Sequence, residues 1–68
     1  MLDKNLCALR KGKGLTQEAL AKAAGIRPQT IYKYEKGIVK NIPYERIEAL
    51  ASALETTPSR LLGWEESK

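Results

Sequence analysis

The sequence predicts an all-α domain of five short helices, and three observations carry that expectation. Pro28, Pro43 and Pro58 each stand just before an apolar-periodic segment, where a proline suits the first helical turn. Gly12, Gly14, Gly25, Gly37 and Gly63 fall in the gaps or at segment ends, as helix stops. β-branched residues are sparse and never alternate along a run, so no strand is expected.

The first helix is expected over residues 2–11, with Leu2, Leu6 and Leu9 on one stripe. The second, over 17–24, takes Thr16 as its N-cap and Glu18 in its first turn, where a carboxylate favours the helix dipole. Its inner stripe is Leu20, Ala21 and Ala24. The third, over 28–36, turns Ile31 and Tyr34 inward. The fourth, over 43–54, aligns Ile47, Leu50, Ala51 and Leu54, and the fifth is a turn or little more over 58–62, capped by Thr57 and carrying Leu61 and Leu62. Residues 1–63 thus read as one domain, and residues 64–68, "WEESK", as a tail or the start of a linker.

Size and composition narrow the functions open to such a chain. At 68 residues it buries only about 60% of its unfolded surface, so its core has to be well packed. A single cysteine, Cys7, offers no disulfide and fits a reducing, cytoplasmic setting. Without histidine, a zinc site has too few ligands, and no cofactor is implied. No apolar run approaches the ~18 residues that span a bilayer, so no membrane partner is expected. No triad or pair of acids suggests catalysis, and an enzyme is not expected.

The charge is uneven. Residues 1–40 carry nine Lys/Arg against Asp3, Glu18 and Glu35, whereas residues 41–68 carry three against five acids, within a net charge of +4. One end is basic, which suits a polyanionic partner, although a plain soluble surface has the same signature.

The stretch from Gln17 to Lys36 decides between these. Gly25 follows the second helix and can take positive φ. Ala21, a turn earlier, is small enough for the next helix to cross closely, while Ile26 and Ile31 close the crossing. Small, glycine and apolar at 21, 25 and 31 is the steric pattern of a helix-turn-helix. On the third helix, Gln29, Lys33 and Lys36 fall at i, i+4 and i+7 opposite Ile31 and Tyr34, with Tyr32 beside them. That outer face offers an amide, a phenol and two ammonium groups but no carboxylate. Gln can pair with an adenine edge in the major groove, and Lys reaches guanine acceptors or phosphates. Gln17 starts the second helix, whose free N–H groups favour a phosphate oxygen.

"LTQEALAKAAGI" followed by "QTIYKYEKG" resembles the Cro/repressor-type helix-turn-helix family, also called the XRE family. The resemblance runs from "LCALRKGKGLTQ" through "IEALASALETTPSRLLG", and "GIVKNIP" with "LLGWEE" looks like the operator-binding domains of temperate-phage repressors. It implies a five-helix, lambda-repressor-like domain that binds double-stranded DNA at a pseudo-palindromic operator, as a homodimer, with the third helix in the major groove. On that basis Gln29 and Lys33 would read bases, with Pro28 and Tyr32 beside them. Gln17, Thr30, Lys36, Lys40 and Asn41 would meet phosphates. Arg10 and Glu35 stand where some relatives hold an ion pair between the first and third helices, with Arg10 also free to approach phosphate. Arg27 stands where the family usually has a Ser or Thr cap, and is expected to meet a phosphate instead.

Remaining residues read more plainly. Cys7 is expected to be a small half-buried side chain. Tyr34 is expected in the core, and Tyr44 to pack, with contact to a DNA backbone as its alternative. Trp64 is left between folding back on the last two helices and joining a dimer contact. The competing functional reading is an adaptor or antitoxin-like module on the same fold, using the acidic second half to bind protein.

Overall fold

The computed structural model describes residues 2–39 and 41–63, and these form five helices with no strand among them. They are α1 (Leu2–Gly12), α2 (Gln17–Ala24), α3 (Pro28–Glu35), α4 (Tyr44–Ala53) and α5 (Pro58–Leu62). All five stand where the sequence sets them, and the differences lie at their ends. Lys36 is the C-terminal cap of α3 rather than part of its body. Pro43 has an extended ψ of 142°, so it precedes α4 as its N-cap residue instead of opening its first turn. Lys40, Trp64 and the tail lie outside the described residues.

The threonine caps form as expected. Thr16 accepts from the Ala19 N–H at 3.0 Å, and Thr57 from the Arg60 N–H at 3.2 Å. Each satisfies one donor that the first turn leaves open.

Four helices close with one and the same turn. The N–H groups of Leu15, Ile26, Ile38 and Thr56 reach back to the carbonyls of Arg10, Ala21, Lys33 and Ala51, at 3.1, 2.9, 3.0 and 2.8 Å. This six-residue closure needs one residue of left-handed backbone just past the helix. Glycine fills that place after α1, α2 and α3, but after α4 it is Glu55, at φ 57°. At Gly25 (φ 71°) a Cβ would meet nothing within 4 Å, so that position calls for glycine by backbone conformation alone.

The core draws one fully buried side chain from each helix: Leu6, Leu20, Ile31, Leu50 and Leu61. Ala21, Ile26, Tyr34, Ile47, Ala51 and Leu54 complete it. α2 packs on α3 and α4, α1 on α3 and α5, and α4 on α5. Truncating a fully buried leucine to alanine costs roughly 2–5 kcal/mol, which for a domain of this size is a large share of its stability. Two polar links tie the ends together. Asn5 donates to the Leu61 carbonyl at 3.1 Å, and Lys13 pairs with Glu55 at the surface. Cys7 is half-buried.

Candidate nucleic-acid interface

The helix-turn-helix is formed by α2, the turn at Gly25 and α3. Ala21 is 1% exposed, and its missing bulk is what lets α3 cross close to α2. Ile26 enters the core immediately after the turn, and Ile31 and Tyr34 fix the inner side of α3. The Tyr34 hydroxyl accepts from Arg46 at 3.0 Å, which satisfies its polar end at the edge of the core.

With that side fixed, the other side of α3 faces outward. Pro28, Gln29, Tyr32, Lys33 and Lys36 are all exposed, and Thr30 is half-buried. The Lys36 ammonium lies 5.7 Å from the centroid of the Tyr32 ring, a cation–π contact that orders both side chains. Arg27 is exposed, extended and makes no side-chain cap. Pro28 has no N–H, and the N–H groups of Thr30 and Ile31 both bond to the Arg27 carbonyl. The first turn of α3 therefore has one open amide, that of Gln29. Asn41 is exposed on the loop that follows.

Glu35, the sole carboxylate of α3, does not disturb this surface because it is consumed from below. Arg10 of α1 donates to both of its oxygens, at 2.7 and 3.2 Å, and Gln17 of α2 donates to one of them at 3.0 Å. The Glu35 side chain is 5% exposed and that of Arg10 11%. Arg10 also donates to the Leu15 carbonyl at 2.7 Å. Burial is the largest single influence on Glu35 and opposes its ionisation. The donors from Arg10 and Gln17 together outweigh it and hold the carboxyl below its ordinary range. Hydrogen bonding to Glu35 raises Arg10 in turn, against the opposing effect of burial. The ionised form of both partners is thus the stable one, and the pair with Gln17 clamps three helices at one point.

The expected ion pair is therefore present, but Arg10 is not the dual-purpose residue that the resemblance implied. It is buried, and each of its three nitrogens donates inward, to Glu35, the Leu15 carbonyl or the Cys7 sulfur, which withdraws it from the outer surface. Gln17 is half-buried and gives one amide N–H to Glu35, keeping the second. Tyr44 departs from expectation as well: it is 54% exposed rather than packed. It precedes the first inward residue of α4, Ile47, and lies on the turn's solvent side.

Sequence reasoning did not single out Ile38. It is 62% exposed and joins Gln17, Glu18, Pro28, Gln29, Tyr32 and Lys33 around an open, mostly apolar depression of about 410 Å³. An isoleucine just past a helix-ending glycine ordinarily folds back onto its helix, as Ile26 does after Gly25. Nothing local in the sequence separates the two cases.

Among the described residues, no group of acids, cysteine or histidine could hold a metal ion. None of the helices is long and apolar enough to cross a membrane.

A family model described as helix-turn-helix matches residues 8–61. A comparison with curated proteins gave no match. Among solved structures, the restriction-modification controller protein C.AhdI from Aeromonas hydrophila is similar at a TM-score of 0.84 and 35% identity, over 88% of this chain and 89% of that one. The SinR protein/SinI protein complex is similar at a TM-score of 0.86 and 24% identity, a likeness of fold, over 91% of this chain. The chain spans 60% of the length of that second protein. The motif, the five-helix architecture and the family match agree: this chain belongs to the Cro/repressor-type helix-turn-helix family of DNA-binding domains.

Proposed function

We propose that the chain is a transcriptional repressor domain that binds a pseudo-palindromic operator in double-stranded DNA as a homodimer, acting in the cytoplasm. The observation that carries this reading is the outer side of α3: Gln29, Tyr32, Lys33 and Lys36 exposed together, with the helix's only carboxylate neutralised underneath. Gln29 and Lys33 read base edges in the major groove, with Pro28 and Tyr32 alongside. Gln17, Arg27, Thr30, Lys36, Lys40 and Asn41 grip phosphates, which supplies most of the affinity but little of the choice. Similarity to a protein named as a restriction-modification controller supports a regulatory role.

Selection of binding sites from randomised duplexes tests the reading. Recovery of a two-fold symmetric site supports a dimer on DNA. Lys33→Ala should relax preference at one position per half-site, costing about 1–3 kcal/mol there. Equal weakening on every sequence would make Lys33 a phosphate contact. No attraction to any duplex at low salt would reject the reading in favour of a protein-binding module.

A further inference from the structure

Tyr32 and Lys36 stand one turn apart on the outer side of α3, with the Lys36 ammonium 5.7 Å from the centroid of the Tyr32 ring. Lys36 is the C-cap residue, and Gly37 after it turns the chain away at φ 73°. A side chain at a helix end leans back over the preceding turn, and here that turn carries the ring. The acid beside Lys36 cannot take the place of the ring. Glu35 is turned inward with its side chain 5% exposed, and its oxygens are spent on Arg10 and Gln17. The kind of contact matters as much as its presence. A glutamate one turn before a lysine would hold it in an ion pair, but would also neutralise it. An aromatic face attracts a cation through its quadrupole and carries no net charge. Lys36 is thus ordered while its positive charge stays whole.

We propose that Tyr32 is a positioning residue: it acts on DNA through Lys36, by holding that ammonium in place for a backbone phosphate, and its ring rather than its hydroxyl does so. This rests on the DNA-binding role of α3 and gives Tyr32 a part in affinity rather than in base choice. The gain is one of entropy. A lysine stem loses its rotamer freedom when it grips a phosphate, and a stem already ordered in the free protein loses less.

A mutant cycle tests this on two duplexes, a selected operator and a random sequence, at one salt concentration. Affinity is measured for the unaltered protein, Tyr32→Leu, Tyr32→Phe, Lys36→Met and the double variant Tyr32→Leu with Lys36→Met. Tyr32 is 47% exposed, so a folding defect is unexpected, and thermal melting checks each variant. Tyr32→Leu should weaken binding about two- to fivefold, the value of an exposed cation–π contact. The loss should be equal on both duplexes, because phosphates carry no sequence. Tyr32→Phe restores the ring and should recover most of that loss. With Lys36→Met already present, Tyr32→Leu should cost nothing further. No loss in Tyr32→Leu, a loss confined to the selected operator, a loss undiminished without Lys36, or no recovery in Tyr32→Phe would each overturn the proposal while leaving the DNA-binding role standing. If the unaltered protein binds neither duplex, that role falls and this proposal with it.

Discussion

At the scale of single residues, Glu35 is tightly constrained by its partners. It accepts from Arg10 and Gln17 while 5% exposed, so a replacement has to satisfy donors on two other helices. Glu35→Gln leaves a buried guanidinium without its counter-charge, and should lower stability by roughly 3 kcal/mol in a melting experiment. The pH dependence has a definite sign. The folded-state pKa of Glu35 is depressed below the ordinary 4.5. Its contribution is therefore fully present above that value and is lost as pH falls through the folded pKa. Unfolding free energy measured downward from about pH 5 should fall more steeply for the unaltered protein than for Glu35→Gln; parallel curves would show that the pair is not responsible. The ion pair itself was legible through family likeness. The part played by Gln17 was not, because one amide eighteen positions from its acceptor leaves no periodic trace. The withdrawal of Arg10 was hidden for the same reason: the number of donors an arginine spends inward depends on packing, not on spacing.

At the scale of elements, the sequence spells out the helices through their ends. Proline and glycine punctuation and two threonine caps put all five within a residue or so of their observed bounds. What the sequence hides is the conformation of Glu55, since glutamate carries no signal for left-handed backbone. Its φ of 57° is imposed by the closing turn of α4, whose other hydrogen bonds are sound. Left-handed geometry is costly for a residue with a Cβ. The Lys13–Glu55 pair at the surface returns little of that. Glu55→Gly should therefore raise the melting temperature, by about 5 °C on the scale of a domain this small. An unchanged or lower value would mean that the pair matters more than the backbone. The exposure of Ile38 and Tyr44 is hidden for a related reason: both stand beside a helix end, where apolar character alone does not say which way a side chain faces.

At the scale of the whole molecule, charge is sorted between the two halves of the chain, and the fold keeps that sorting useful. Arg27, Lys33 and Lys36 stay exposed, while Glu35 among them is drawn inside. Affinity for duplex DNA should fall steeply with salt as condensed counterions are released. Lys36→Ala should reduce the slope of log K against log salt by about one, with little change in sequence preference. A slope identical to that of the unaltered protein would make Lys36 an ordering partner of Tyr32 only. The general sorting is plain from the residue order. Which cations remain outside is not, because Arg10 counts as basic in any tally of the sequence and is buried in the structure.

Gln17 and Arg10 reach the same carboxylate from different helices. The screw that fastens the scaffold thus also sets the angle of a side chain at the start of α2. If Gln17 meets DNA as proposed, a lineage drifting at position 35 would forfeit heat tolerance and that contact together.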